Sequence, residues 1–332
     1  MSAATETENI LLIRLKSIGD IVFTLPAVHV VRENFPNARI TFLVSKEYTP
    51  LMEGFREVNQ VISLDRALFR RGNPKATVLE TVSLLRRLRR EKFSLALDFQ
   101  GYGETALLTW WTGARRRWSS VYQPARGWAY TQSVRRDPHL HPVDWHLSLL
   151  QQCGLRTEPF RNEFILPAAA LDEARRLFVA QGLDPARTVL FIQPFTSAPK
   201  KDWPLENYLA LARHWQERGV QVLFSGGPAE HAALEPVRQA GFPVFSGASL
   251  LVAGGLIQLS TLIVGGDTGL LHLAVALGKR VLMLIKRGGP GATIPYQHAD
   301  WIVEPPAGLL LKQIELEPVL QATGRALGDR RR

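Results

Sequence analysis

Polar and charged residues follow apolar runs at several points in the sequence, and the first such group is Arg14-Leu15-Lys16-Ser17-Ile18-Gly19-Asp20. Residues 10–15 predict a buried strand, and a helical pattern follows the group, so its backbone N–H groups can face an anion. Asp20 can act as a general base that removes a proton from an acceptor hydroxyl. It can equally be the N-cap of the helix, since aspartate is a favoured capping residue. The residue types alone leave both roles open.

A glycine pair begins the second group, Gly265-Gly266-Asp267-Thr268-Gly269-Leu270-Leu271-His272. Small residues permit close approach of the backbone to a ligand. The start of the following helix favours phosphate oxygens, so the group predicts a diphosphate site. The alternative is a purely structural turn in which Asp267 caps the helix.

Two further groups follow predicted strands in the second half of the chain. Residues 196–204 place hydroxyls and two ammonium groups in one loop, which suits a phosphate ligand, although a polar loop packed by Trp203 is the competing interpretation. Glu230 follows Gly226-Gly227 and is a candidate ligand for a ribose diol, but glutamates at helix starts are also common for electrostatic reasons. Because ligands of open α/β sheets bind at the carboxyl ends of the strands, these groups together predict one site.

Short apolar strands alternate with helical stretches, which predicts parallel βαβ units. The pattern is irregular over residues 110–145, which contain five of the eight tryptophans and the Arg115–Arg117 triplet, and it restarts near residues 155–170. We therefore predict two doubly wound α/β domains, residues 1–165 and 166–332, that face each other across a cleft. The predicted strands are residues 10–15, 39–44, 60–64, 93–98, 188–192, 220–224, 243–245, 261–264 and 280–285.

Composition narrows the class of protein. No apolar run approaches the roughly 18–20 residues that span a bilayer, and residues 1–9 do not resemble a signal peptide, so we expect a cytoplasmic protein. The lone cysteine, Cys153, can form neither a disulfide nor a zinc cluster. Net charge is +10, and residues 66–136 hold 15 Lys and Arg against 4 Asp and Glu. This excess suits an anionic partner, or simply solvated helix faces.

The chain resembles glycosyltransferase family 9, the ADP-heptose:lipopolysaccharide heptosyltransferases, nearly from end to end. The resemblance implies the GT-B fold, with two Rossmann-like domains, and an inverting, metal-independent transfer without a cofactor. It implies a sugar, expected to be heptose, moved from an ADP-sugar to a lipopolysaccharide core or related anionic glycan. The segments that carry it are Arg14–Val28, Leu97–Leu108, His141–Leu155, Lys201–Pro204 and Val264–Lys279.

The resemblance also implies roles for individual residues. Asp20 matches the proposed catalytic base, and the last helix is expected to pack back on the N-terminal, acceptor-binding domain. The nucleotide-sugar site in the C-terminal domain is expected to include Thr196, Ser197, Lys201, Glu230, Asp267, Thr268, Gly269 and His272. On the acceptor side we expect Lys16, Ser17, Gln100, Arg115, Arg116 and Arg117.

The expected partners are a nucleotide sugar and an anionic glycolipid, with peripheral contact to the cytoplasmic face of the inner membrane by a monomeric enzyme. A GT-B sugar-nucleotide epimerase, which needs no acceptor, or a transferase with another nucleotide sugar remains an alternative. A nicotinamide-dependent oxidoreductase is disfavoured because no G-x-G-x-x-G follows a strand. A nucleic-acid-binding protein is disfavoured because the sequence contains no recognisable module for it.

Overall fold

The protein forms two compact units that divide between Glu163 and Phe164, two residues before the predicted boundary. This computed structural model describes residues 8–70, 74–288 and 293–328. Each unit contains a six-stranded sheet, and all the strand pairs in both sheets are parallel. The predicted α/β class, with two doubly wound units, is therefore confirmed.

The first unit has the strand order β3-β2-β1-β4-β5-β6. Its central strands are buried because helices cover both faces of such a sheet. The strands are β1 (Asn9–Ile13), β2 (Arg39–Ser45), β3 (Gln60–Leu64), β4 (Leu95–Asp98), β5 (Arg116–Val121) and β6 (Gln132–Arg135). The helices are α1 (Ile18–Val22), α2 (Leu25–Asn34), α3 (Arg66–Arg70), α4 (Pro74–Arg90), α5 (Gly103–Trp111) and α6 (Pro142–Gln152), with 3-10 helices at Lys46–Gly54 and Pro124–Ala129.

Two expectations about this unit are wrong. Residues 110–145 are not irregular, because they contain the end of α5 and the strands β5 and β6. The sequence of β5 is Arg-Arg-Trp-Ser-Ser-Val and β6 is a largely exposed edge strand, so neither shows an apolar run. The helix predicted after Asp20 is two helices, α1 and α2, and Pro26 lies in the first turn of α2.

The second unit has the strand order β12-β11-β10-β7-β8-β9, which is the same doubly wound order read from the other edge. Its strands are β7 (Val189–Gln193), β8 (Gln221–Gly226), β9 (Val244–Ser246), β10 (Leu262–Gly266), β11 (Val281–Leu284) and β12 (Ile302–Val303). Its helices are α7 (Ala168–Ala180), α8 (Leu205–Gln216), α9 (Glu235–Gln239), α10 (Leu250–Leu259), α11 (Gly269–Ala276) and α12 (Leu316–Gly328), with 3-10 helices at Pro199–Lys201, Pro228–Glu230 and Leu311–Gln313.

The last helix, α12, packs on its own unit. Val319 is fully buried in the core of that unit, and Trp215 Nε1 of α8 donates to Thr323 Oγ1 at 3.0 Å. The expected packing of this helix on the N-terminal domain stays a prediction. Within the described ranges, no helix combines the length and the apolar character that crossing a lipid bilayer requires.

In each sheet, successive strands are first added toward one edge and then, after a single reversal, toward the other edge. The reversal lies between β1 and β4 in the first unit and between β7 and β10 in the second. Loops that follow the two central strands diverge at such a switch point and leave a crevice, which is where open α/β sheets bind ligands. The fold therefore marks one candidate site in each unit.

Candidate functional site

Glycines at the end of β10 allow the loop after β7 to pack closely against it. A Cβ atom at Gly265 would lie 2.5 Å from the carbonyl oxygen of Gln193. A Cβ atom at Gly266 would lie 2.6 Å from Cγ2 of Thr196 and 3.3 Å from the carbonyl oxygen of Lys201. Only glycine fits at these positions without displacing the loop, and this packing brings Lys201 beside the residue that follows the pair.

That residue, Asp267, is the centre of the second-unit site. Its Oδ2 accepts from Nζ of Lys201 at 2.9 Å, its Oδ1 lies 3.2 Å from Nε2 of His272, and Oγ1 of Thr293 lies 3.4 Å from Oδ1. Burial alone would raise the pKa of Asp267, but the hydrogen bonds and charges of His272 and Lys201 lower it to about 2. The carboxylate is therefore ionised and fixes the lysine at the switch point.

Thr268, rather than Asp267, is the N-cap of α11. The prediction that Asp267 caps this helix is wrong, because its carboxylate turns toward Lys201 and His272 instead. Among the described residues, the buried Oγ1 of Thr268 has no hydrogen-bond partner. The N-terminus of α11, which begins at Gly269, thus follows closely after Asp267, the residue that binds Lys201, and a helix N-terminus favours an anion.

The loop after β7 is held by its own hydrogen bonds. The backbone N–H of Thr196 donates to Oδ1 of Asp202 at 2.8 Å, and Oγ1 of Thr196 donates to the carbonyl oxygen of Ala198 at 2.9 Å. Ser197 is exposed. Trp203 is buried, and its Nε1 donates to a backbone carbonyl oxygen of the same unit at 2.8 Å, as the structural interpretation of this tryptophan required. Thr196 therefore shapes the loop, whereas Ser197 is free to face a ligand.

A pocket of about 410 Å³ opens beside the Lys201–Asp267 pair. Basic side chains dominate its polar lining. Of these, Lys201 pairs with Asp267 and Arg287 pairs with Glu304. The remaining wall is largely apolar, so the pocket suits a ligand with both an anionic and a hydrophobic part. The lining residues are Lys200, Lys201, Asp267, Ile285, Lys286, Arg287, Gly288, Thr293, Leu310 and Leu311, and residues 289–292 lie outside the described part of the chain.

Glu230 lies one strand away from the switch point, after β8. Its carboxylate accepts from the backbone N–H of Gly227 and so stabilises the start of the 3-10 helix Pro228–Glu230. This contact fits the interpretation of Glu230 as a residue that stabilises a helix start. Its expected contact with a ribose diol stays a prediction.

In the first unit, Asp20 occupies the third position of α1 and Ser17 is the N-cap. Oδ2 of Asp20 accepts from the backbone N and from Oγ of Ser17, at 3.1 and 3.0 Å. Oδ1 of Asp20 lies 2.7 Å from Nη2 of Arg14, and the Asp20 side chain is 38% exposed. The prediction that Asp20 is the N-cap is therefore wrong. Asp20 instead completes a capping box with Ser17 and still presents its carboxylate to solvent, so this structural role is compatible with the catalytic one. Lys16 lies in the same loop and is exposed.

Two buried guanidinium groups, Arg14 and Arg136, meet behind Asp20. Nη1 of Arg14 donates to the carbonyl oxygen of Phe99 at 2.9 Å. Nη2 of Arg136 donates to the same oxygen at 2.9 Å and to the carbonyl oxygen of Gln100 at 3.0 Å. The sequence analysis missed Arg136 as a site residue because it follows β6, an edge strand without an apolar pattern.

Gln100 and His146 complete this cluster. Oε1 of Gln100 accepts from the backbone N of Leu15 at 2.9 Å, whereas its buried Nε2 has no partner among the described residues. The ring of His146 lies 4.8 Å from that of Phe99. Burial, together with the charges of Arg14 and Arg136, holds the pKa of His146 well below its ordinary value, so this histidine is neutral near pH 7.

The structure does not bring the Arg115–Arg117 triplet together with Asp20 and Gln100. Arg116 is the first residue of β5, opposite Leu95, whereas Asp20 and Gln100 follow the carboxyl ends of β1 and β4. Arg116 instead pairs with Glu8 at 2.6 Å. The triplet therefore lies at the amino ends of the strands, whereas Asp20 and Gln100 lie at the carboxyl ends. Because the strands run parallel, the length of a strand separates the two groups.

Within the described ranges, no three His, Cys, Asp or Glu side chains converge in a group that could hold a metal ion. The polar groups at the two switch points are instead dominated by Lys and Arg paired with single carboxylates.

Comparison with known proteins identifies a family and solved structures that share this architecture. The family model of glycosyltransferase family 9 (heptosyltransferase) matches residues 81–308, more than half of the chain. Lipopolysaccharide core heptosyltransferase OpsX of Haemophilus influenzae is 23% identical, over 89% of this chain and 84% of its own. A glycosyl transferase family 9 structure from Veillonella parvula has a TM-score of 0.85 at 19% identity, covering 98% of this chain and 100% of the other.

The structure of E. coli ADP-heptose lps heptosyltransferase II has a TM-score of 0.80 at 22% identity and covers 98% of this chain and 100% of its own. At these identities the structures show the shared fold, and the predicted GT-B fold is confirmed. The family match confirms the resemblance found in the sequence. The chain belongs to glycosyltransferase family 9 (heptosyltransferase) and is a glycosyltransferase.

Proposed function

We propose that this glycosyltransferase moves a heptose from ADP-heptose to an anionic acceptor of the lipopolysaccharide core, with inversion at the anomeric carbon. The observation that carries the proposal is the basic pocket at the second switch point, where Lys201 is fixed by the ionised Asp267. The names of the relatives, a lipopolysaccharide core heptosyltransferase and an ADP-heptose lps heptosyltransferase, support the choice of donor and acceptor.

The donor diphosphate would lie against Lys201, Ser197, the hydroxyl of Thr268 and the N-terminus of α11. Oriented cationic and N–H groups of this kind stabilise the charge that develops on a leaving diphosphate. Asp267 and His272 would act by positioning the lysine, since their polar atoms are engaged with each other and with Lys201. The apolar wall formed by Ile285, Leu310 and Leu311 would contact the base or the sugar.

Asp20 would act as the general base on the acceptor. As the acceptor hydroxyl oxygen forms its bond to the anomeric carbon, its proton passes to Asp20, and the bond between that carbon and the diphosphate oxygen breaks to release ADP. Attack from the face opposite the leaving group gives inversion. Arg14, Arg136 and Lys16 would supply positive charge for an anionic acceptor, with Arg14 also holding the Asp20 carboxylate in place.

Isothermal titration calorimetry with ADP, UDP, GDP and NAD tests the donor site. We expect selective ADP binding that Lys201→Met weakens about 10- to 150-fold, since a hydrogen bond to a charged group contributes about 1.5–3 kcal/mol. Arg175→Met, which removes one exposed positive charge from α7, is the matched control and should change affinity less than about twofold. Preference for UDP or GDP would retain a nucleotide-sugar transferase but reject the ADP donor. Binding of NAD alone, or of none of the four, would reject the donor site.

A further inference from the structure

The first unit exposes large apolar side chains along one face of two neighbouring helices. Leu79 on α4 is 71% exposed and Trp128, in the 3-10 helix Pro124–Ala129, is 59% exposed. We call this surface the α4–α5 face and define it by the exposed residues Val78, Leu79, Leu107, Trp110, Trp111 and Trp128. Such a concentration of exposed apolar side chains marks an interaction surface.

The tryptophans form one continuous cluster on this face. The ring centroid of Trp110 lies 6.4 Å from that of Trp111 and 6.0 Å from that of Trp128. Nε1 of Trp111 donates to the carbonyl oxygen of Leu85 at 3.0 Å, which joins the end of α5 to α4. Tryptophan combines an apolar ring with a polar edge, a property that suits the boundary between lipid and water.

Arginines extend the same face along the second half of α4. Arg86 and Arg90 are exposed one turn apart, and among the described residues neither pairs with a carboxylate. Arg89 lies against Gly113, where a Cβ atom would meet its Nη1 at 1.8 Å, and so its guanidinium occupies space that only glycine leaves open. Arg117 is fixed by two backbone carbonyl oxygens, at 2.8 and 2.6 Å.

Arg89 and Arg117, together with Trp110, Trp111 and Gly113, line a pocket of about 360 Å³. Within the described part of the chain, both guanidinium groups donate to backbone carbonyl oxygens and to no carboxylate. They can therefore bind a phosphate, because guanidinium geometry matches phosphate oxygens. The pocket thus offers a phosphate site next to an aromatic cluster and an aliphatic helix face.

We propose that the α4–α5 face docks this chain on a membrane surface that contains anionic phospholipids, with a headgroup phosphate between Arg89 and Arg117. Charge complementarity selects the anionic headgroup, and the tryptophans with Leu79 and Leu107 enter the interfacial layer. A nucleic-acid backbone would satisfy the arginines but would leave the exposed aliphatic side chains in water, so lipid fits the whole face better. The proposal does not depend on which sugar or acceptor the enzyme uses.

Vesicle co-sedimentation tests the charge component. The full chain should bind vesicles of phosphatidylcholine with added phosphatidylglycerol far more tightly than vesicles of phosphatidylcholine alone. R86A/R90A should weaken this binding about 25-fold, since each basic side chain near an anionic surface contributes about fivefold. R175A/R176A removes two exposed arginines from α7 in the second unit and should change binding less than about twofold.

A second pair of variants tests the apolar component. L79S should weaken vesicle binding roughly tenfold, because the serine side chain no longer buries apolar surface in the membrane. V179S, at a 58% exposed position of α7, should leave vesicle binding unchanged. Equal binding to both vesicle types, or equal losses in R86A/R90A and R175A/R176A, would overturn the proposal. So would binding of free glycerol phosphate or duplex DNA by a protein that does not bind the vesicles.

Discussion

Replacing Asp267 by asparagine tests whether the ionised carboxylate fixes the second-unit site. The pKa of this group is about 2, against 3.8 for an unperturbed aspartate. Its side chain is only 17% exposed, so solvent screening is limited. A difference of nearly two pKa units corresponds to about 2 kcal/mol of stability at pH 7. Because the folded-state pKa is lowered, this stability is present above pH 4 to 5 and is lost as the pH falls through about 2.

Urea unfolding of the wild type and of Asp267→Asn, followed by circular dichroism, measures this difference. We expect the substitution to cost about 2 kcal/mol at pH 7 and about 1 kcal/mol at pH 3. Glu235→Gln is the matched control, because Glu235 pairs with Arg238 at 3.1 Å on an exposed helix turn. The control should cost less than about 0.5 kcal/mol at either pH. A cost for Asp267→Asn equal to the control, or one that does not change between pH 7 and pH 3, would refute the reasoning.

Two further predictions follow, one for each unit. Asp20→Asn should lower the turnover of sugar transfer by about 10²–10⁴-fold with ADP affinity unchanged, since it removes the proton acceptor from the first unit and leaves the residues around Lys201 intact; steady-state kinetics with parallel calorimetry checks this, and a wild-type turnover would contradict it. Gly266→Ala should lower stability by about 1–3 kcal/mol and weaken ADP binding, because its Cβ would meet Thr196 at 2.6 Å. Gly227→Ala, whose Cβ would meet only Glu230 at 3.5 Å, should be tolerated in the same unfolding and binding measurements.

Most of the fold could be predicted from the sequence because its central strands are buried on both faces. Strands such as β1 and β7 consist largely of apolar residues. Because these strands are parallel to their neighbours, the residues that follow their carboxyl ends lie at the same end of the sheet. The edge strand β6 carries Gln, Ser and Arg on an exposed surface, so periodicity gave no sign of it. Without β6, the inward course of Arg136 could not be anticipated. The position of the Arg115–Arg117 triplet was missed because β5, which begins at Arg116, has no apolar run either.

The detailed contacts of the site depended on backbone geometry that residue types do not specify. Asp20 and Asp267 were both candidates for the N-cap of the helix that follows each of them, yet Ser17 and Thr268 occupy the N-cap positions. In each unit the carboxylate instead pairs with a basic side chain, Arg14 in the first and Lys201 in the second. The second of these pairs needs the close approach of two loops that Gly266 allows, a long-range contact invisible to local pattern.

The most direct test of the proposed function is a transfer reaction with ADP-heptose and a deacylated lipopolysaccharide core acceptor, followed by nuclear magnetic resonance. Release of ADP only in the presence of acceptor, with the product heptose in the anomeric configuration opposite to that of the donor, is the predicted result. Retention of configuration would contradict the single displacement assigned to Asp20. Conversion of ADP-heptose without acceptor, or no conversion at all while another nucleotide sugar is consumed, would contradict the proposed donor and reaction.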